Sequence, residues 1–232
     1  MQEKKRLLIM IKIKLKRQYF TKKLLSFCMY YVIVNIRRCY MKIEKIKECC
    51  TGYLGQNILY YPTIDSTQLE AQRKVMQGVP NGSILLAGKQ TQGKGTKGRK
   101  WYTGSENIAM TIILYPDCKI DRLQGFTYKM AKVMQETIYQ LYSIHLTIKE
   151  PNDLLLNGYK IGGILTQSKS AGEKVQQLLI GIGFNVNETE FPVELHTVAT
   201  SLKREYQKDF EVEEIIKVFL EKLEQELNMI LS

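Results

Sequence analysis

The fold class turns on the stretch Gly93-Lys94-Gly95-Thr96-Lys97-Gly98-Arg99-Lys100-Trp101 and on the residues just after it. Its first six residues fit Gly-x-Gly-x-x-Gly, the dinucleotide-binding fingerprint. That fingerprint needs a helix opening inside the motif and an acidic residue about 20 positions further on. Asp117 roughly meets the spacing, but no helix pattern comes next. The glycines run instead into Arg-Lys-Trp-Tyr-Thr-Gly and then an apolar strand pattern over 108–115. This argues against a doubly wound, dinucleotide-dependent oxidoreductase. A protein-kinase reading fails as well, because neither His-Arg-Asp nor Asp-Phe-Gly occurs. The loop keeps the chemistry of an anion site. Glycines let backbone N–H groups approach phosphate closely, Lys94, Lys97, Arg99 and Lys100 add charge, and Trp101 offers an apolar platform.

Outward from the loop, the residues 57–64 and 83–89 read as strands. Thr67-Gln68-Leu69-Glu70 has the capping-box pattern and predicts a helix ending at Gly78. Asp121-Arg122-Leu123-Gln124 has the same pattern and predicts a helix to about Tyr142. A short strand over 145–149 ends at Pro151. Leu154-Leu155-Leu156, then Asn157-Gly158, then 159–167 is the strongest hairpin signal in the chain. A further strand is expected over 175–187. A last helix over 212–231 carries Val212, Ile215, Ile216, Phe219, Leu223, Leu227 and Ile230 at helical spacing. Hairpins mixed with helices make the fold class α+β.

The 232 residues are 44% hydrophobic and 25% charged, which argues against disorder and against a polytopic membrane protein. The net charge of +11 is unevenly placed. Residues 1–40 hold eleven Lys/Arg and one acidic residue, leaving the remainder at +1. This basic leader is expected to lie outside the fold, as an upstream extension, with the domain spanning 41–232. Its least polar run, residues 24–36, is shorter than the roughly 20 residues a membrane span needs. A surface-seeking basic helix is the functional alternative, and nucleic-acid binding would rest on the leader alone. Five cysteines without a Cys-x-x-Cys pair, and two isolated histidines, predict no structural metal site. Reduced thiols fit a cytoplasmic protein.

Four ordered blocks carry a family resemblance. They are Asp65-Ser66-Thr67-Gln68; Gln90-Thr91-Gln92 with the glycine loop to Trp101; Lys149-Glu150-Pro151-Asn152-Asp153 with Lys160-Ile161-Gly162-Gly163-Ile164-Leu165; and Gly181-Ile182-Gly183-Phe184-Asn185-Val186-Asn187. In this order they resemble the catalytic domain of biotin protein ligases. The resemblance implies a mixed, largely antiparallel sheet with flanking helices, like that of class II aminoacyl-tRNA synthetases. It implies a monofunctional ligase that joins biotin to ATP as biotinyl-5'-AMP. Biotin then passes to a lysine of a biotin carboxyl carrier domain. Neither step asks the protein for a nucleophile, only for positioning and charge stabilisation.

The resemblance also implies residue roles. Lys160 is the catalytic lysine. Ser66, Thr67, Gln68, Gln90, Gly93, Lys94, Gly95, Trp101, Gly162, Gly163 and Gly181 are expected around biotin. Lys94, Thr96, Lys97, Gly98, Arg99, Lys149, Asn152, Asp153 and Asn185 are expected around the nucleotide. ATP and Mg2+ are the implied cofactors, and Asp153 is the residue expected to orient the site or help hold magnesium. A homodimer is possible, and neither operator DNA nor a membrane is expected as a partner. Two rivals stay open: a non-catalytic biotin or nucleotide sensor, and a lipoate or octanoate transferase of the same superfamily.

The chain departs from the pattern at several points. Lys94 and Thr96 stand where the family has Arg, Glu150 stands for Trp, and neither a winged-helix domain nor a small C-terminal domain is expected. The loss of charge at Thr96 implies looser retention of the adenylate. Thr96→Arg is expected to slow dissociation of biotinyl-adenylate, measurable by chasing labelled intermediate; an unchanged rate would count against the assignment.

Overall fold

The computed structural model describes residues 43–47, 52–104 and 106–231. The basic leader, Cys28, Cys39, Cys49 and Cys50 lie outside the described residues. In chain order the described elements are α1 (Ile43–Lys47), β1 (Ile58–Ile64), α2 (Thr67–Met76), β2 (Ser83–Gln90), β3 (Ile108–Leu114), β4 (Cys118–Lys119), α3 (Phe126–Tyr142), β5 (Thr147–Lys149), β6 (Asp153–Leu156), β7 (Tyr159–Ala171), β8 (Lys174–Phe184), α4 (Leu202–Tyr206) and α5 (Val212–Leu231). One eight-stranded sheet runs β1-β2-β3-β8-β7-β6-β5, with β4 paired to β8. Among the described strands only β1 and β2 pair in parallel, with α2 as their crossover. The other pairings are antiparallel, so the sheet is mixed and the fold α+β, as expected.

Strand alternation divides the sheet into two faces. Ile84, Leu86, Met110, Ile112, Ile180, Ile182 and Phe184 pack one face against α3 and α5 in the main core. Every apolar residue singled out on the last helix is buried there, and the helix bounds match the expectation. The opposite face carries α2 through a smaller cluster of Ala71, Leu85, Ile113 and Leu179. On this face, Thr111 pairs with Gly181, whose other neighbour is Leu165. Ala109, Gly183 and Gly163 form the next row. The small residues leave a trough in the sheet.

Several local expectations need correction. The cap of α2 is Ser66, whose side chain accepts from Gln68 N, so the box starts one residue earlier than its pattern. Thr67 is thereby released for other contacts. The second box does not open α3. Ile120–Leu123 forms a 3-10 turn and Gly125, at φ 67°, takes the N-cap position. The Asn157-Gly158 turn is present, with φ of 52° and 85°. Unforeseen elements are α1, β4, α4 and a second tight turn, Gly172-Glu173, between β7 and β8.

The β6–β7 ladder contains one irregularity with consequences for the site. Leu154 pairs with Gly162, but the adjacent Leu155 pairs with Lys160, leaving Ile161 as an extra residue. This bulge breaks the alternation. Ile161 enters the core, and a Cβ on Gly162 would meet Phe184 Cδ2 at 2.6 Å, also on the core side. Gly163 and Lys160 consequently share the other face.

Two glycine substitutions separate the faces experimentally. Gly162→Ala is expected to overpack the core and cost about 1–3 kcal/mol in a denaturant titration. A Cβ on Gly183 would instead fall inside the Trp101 indole. Gly183→Ala should therefore red-shift the emission of this lone tryptophan and leave the denaturation midpoint little changed.

Candidate active site

The glycine loop folds as a small hairpin and not as the start of a helix. Lys94 and Lys100 bridge each other, Trp101 N donates to Gly93 O at 2.8 Å, and Gly95 N donates to Arg99 O at 2.7 Å. Lys97 and Gly98 turn the chain at the tip with φ of 56° and 72°. Arg99 folds back, donating from Nη2 to Thr96 Oγ1 at 2.8 Å. The hairpin carries Trp101 onto the trough, where its indole occupies the space a side chain at Gly183 would need.

Beneath the hairpin lies a narrow cavity of about 40 Å³, room for only a few waters. Ser66, Thr67, Gln68, Gln90, Lys94, Gly95, Thr96, Trp101, Asn152, Lys160, Gly163 and Gly181 line it, together with Thr111. Its polar wall is tightly connected. Thr67 N donates to Gln90 Oε1 at 2.8 Å, and Gln90 Nε2 donates to Thr103 Oγ1 at 3.0 Å. Thr111 Oγ1 lies 2.9 Å from Thr67 Oγ1 and 3.1 Å from Gln68 Oε1. The helix start behind this wall is braced by charge. Arg73 forks onto Asp65 at 2.7 and 3.0 Å, which holds that carboxyl below its ordinary pKa.

A second, larger cavity of about 550 Å³ adjoins the first. Gly95, Thr96, Trp101 and Lys160 line both. The larger one has an apolar wall of Trp101, Leu155, Phe191, Leu195, Val198 and Ala199. Its charged residues are Arg99, Lys100, Lys149 and Lys160 against the single carboxylate Asp153. An apolar wall beside a cationic rim suits a planar base attached to phosphates.

Lys160 stands where the two cavities meet. Its Nζ donates to Asp153 Oδ1 at 2.5 Å and lies 5.7 Å from the Trp101 ring centroid. Its backbone is clamped from the opposite side: Lys160 N donates to Val198 O at 2.8 Å, and Thr200 N donates to Lys160 O at 2.9 Å. Asn152 and Asn185 brace this region, with Nδ2 atoms donating to Ile164 O at 2.9 Å and Thr200 O at 3.0 Å.

Most of the expected site residues therefore meet around two joined cavities, and four do not line either. Gly162 faces the core because of the bulge at Ile161. Gly93 commits its backbone carbonyl to Trp101, and Lys97 and Gly98 form the outer tip of the hairpin. Sequence reasoning missed Thr111, although one polar residue inside Ile108–Leu114 was a visible signal. It also missed the wall from Phe191 to Ala199, which shows no sequence pattern. The described residues contain no trio of His, Cys, Asp or Glu able to hold a metal ion. Cys118 is buried in β4 with its thiol pKa raised by burial, and lines neither cavity.

Comparison with known proteins converges on one group. The bifunctional ligase/repressor BirA of Bacillus subtilis is 36% identical over 157 residues, covering 66% of this chain and 48% of that protein. The biotin--[acetyl-CoA-carboxylase] ligase of Paracoccus denitrificans is 36% identical over 131 residues, covering 53% of this chain and 51% of that one. The chain spans about half the length of the curated relatives it matches. Biotin protein ligase from Aquifex aeolicus, solved in complex with biotin and ATP, superposes with a TM-score of 0.64 at 28% identity. That match covers 75% of this chain and 71% of the solved one. The model of the Biotin/lipoate A/B protein ligase family matches residues 60–185, just over half of the sequence, and the chain belongs to that family.

Proposed function

We propose that the chain is an ATP-dependent biotin–protein ligase. The observation that carries the reading is the junction of the two cavities at Lys160, a narrow polar one under Trp101 and a wide cationic one beside it. Two substrates held in them would meet at the lysine. Biotin would occupy the narrow cavity, with its carboxylate toward Lys160, and ATP the wide one. The narrow cavity holds only a few waters with the hairpin closed, so biotin entry requires Trp101 to move outward.

In the first step a biotin carboxylate oxygen bonds to the α-phosphorus and pyrophosphate leaves. Lys160 Nζ opposes the repulsion between carboxylate and phosphate, and Asp153 holds that ammonium in place. In the second step the ε-amine of a carrier-domain lysine bonds to the acyl carbon, AMP leaves, and the amine proton is released. The wall of Trp101, Phe191, Leu195 and Val198 keeps water from the mixed anhydride meanwhile. Mg2+ would accompany the triphosphate and offset its charge. One carboxylate, Asp153, among the lining residues fits a metal held mostly by phosphate oxygens. The proposed acceptor is the carrier domain of a carboxylase. A cytoplasmic location is proposed with it; among the described residues no helix is long and apolar enough to cross a membrane.

The direct test is to incubate the purified chain with ATP, Mg2+, biotin and a biotin carrier domain, and to weigh the carrier. A gain of one biotin supports the reading. Pyrophosphate without carrier modification would leave adenylation and remove the transfer step; neither product would favour a non-catalytic sensor. Lys160→Ala is expected to lower pyrophosphate release by about 10²–10³-fold while biotin binding, measured by calorimetry, stays near wild type. Equal losses in both would reduce Lys160 to a binding residue. Because Trp101 is the only tryptophan, its emission should change on adding biotin and reach saturation. A flat response during calorimetrically verified binding would contradict the outward movement.

A further inference from the structure

Lys160 stands on an irregular piece of backbone. The bulge at Ile161 interrupts the β6–β7 ladder beside it. Between the bulge and the Asn157-Gly158 turn the ladder keeps only the pairs Leu155–Lys160 and Leu156–Tyr159. On its other side the lysine pairs with Ala199, in a segment that belongs to no strand. A lysine that opposes charge at a fixed point needs both of these neighbours held, because small displacements are costly in rate.

Two side chains hold them. Asn185 works on the bulge side: its N donates to Ile161 O at 2.8 Å, and its Nδ2 donates to Thr200 O at 3.0 Å. Glu205 works on the turn side. Its Oε2 accepts from Asn157 Nδ2 at 2.7 Å, and its Oε1 accepts from Thr200 Oγ1 at 2.5 Å. Thr200 is 1% exposed, and its N donates to Lys160 O at 2.9 Å. The contacts close a ring through Asn157, Lys160, Thr200 and Glu205. A carboxylate suits this place, because it offers two acceptor oxygens, here one for an amide N–H and one for a hydroxyl.

The element that carries Glu205 is itself anchored. Leu202 of α4 is buried in the main core. The cap residue Ser201 accepts from Arg204 N at 3.0 Å and donates from Oγ to Glu188 O. Glu205 lines neither cavity, so its route to the reacting groups is the ring. We infer that Glu205 is a positioning residue for adenylation: by tying the turn to Thr200 it fixes where Lys160 stands between the two cavities. This rests on the ligase reading and adds to it a residue outside the cavities.

The test measures biotin-dependent pyrophosphate release at saturating ATP and Mg2+. It compares wild type, Glu205→Ala, Glu205→Gln and Asn157→Gly, each with Lys160 and with Lys160→Ala. Glu205→Ala is expected to lower kcat by about ten- to a hundredfold. KM for biotin should stay near wild type, because Thr67, Gln90 and Thr111 stand on other elements. Glu205→Gln should recover most of the loss, with Oε1 accepting from Asn157 and Nε2 donating to Thr200 Oγ1. Asn157→Gly removes one arm of the ring at a φ of 52° that glycine adopts readily, and should lower kcat by about threefold. With Lys160→Ala the same changes should alter the residual rate by less than about twofold, since the group they position is gone.

Equal losses with and without Lys160 would overturn the inference in favour of a loosened nucleotide wall. Glu205→Gln as slow as Glu205→Ala would overturn it, and so would Glu205→Ala as fast as wild type. If Glu205→Ala does not fold, Asn157→Gly decides by the same comparison across the two backgrounds. A wild type that releases no pyrophosphate with biotin would remove the ligase reading and this inference together.

Discussion

The site depends on two missing side chains. At Gly181 and Gly183 the central strand β8 presents bare backbone to one face of the sheet, and side chains from elsewhere take up the space. A Cβ at Gly181 would come within 2.6 Å of Gln68 Oε1. One at Gly183 would overlap the Trp101 indole. The same strand fills its opposite face with Ile180, Ile182 and Phe184. One alternating sequence thus supplies both the core and the floor of the site. The rigid core fixes the floor, and the parts above it, hairpin and helix start, descend into the gap.

This arrangement separates stability from chemistry in space. The long helices α3 and α5 bury the main core on one side, and α2 with the smaller cluster occupies the other. The polar groups of α2 face the cavity because its cap is Ser66 and not Thr67. Had Thr67 capped the helix, its hydroxyl would have been committed to a backbone amide. The one-residue offset frees it to lie between Gln90 and Thr111. Capping, usually a matter of helix stability, here decides what the cavity presents to a ligand.

Much of this was legible in the sequence, for identifiable reasons. Asn157-Gly158 between apolar runs has few alternatives to a tight hairpin, and 212–231 carries a strong helical period. That the glycine loop is not a dinucleotide fingerprint was legible because no helix pattern came after it, and it folds as a hairpin. The bulge at Ile161 was not legible, since Lys160-Ile161-Gly162-Gly163 looks the same with or without an extra residue. Gly162 was expected around the ligand together with Gly163, whereas a side chain on it would meet the core. The wall from Phe191 to Ala199 escaped because it belongs to no strand. Backbone bonds between Lys160 and residues Val198 and Thr200 hold it in position, and such long-range pairing has no local signature.

The bulge also bears on how this stretch can change over generations. Lys160 faces the cavities only because Ile161 is surplus to the ladder. With the same residues and no bulge, strict alternation would send the lysine to the core side. Its backbone partners, Val198 and Thr200, would lose register with it. The hairpin can accept many substitutions at its exposed positions, yet its bulge has to be kept. Drift here can proceed by replacement at the surface, whereas a change that flattened the bulge would remove the charge and the cavity wall in a single event.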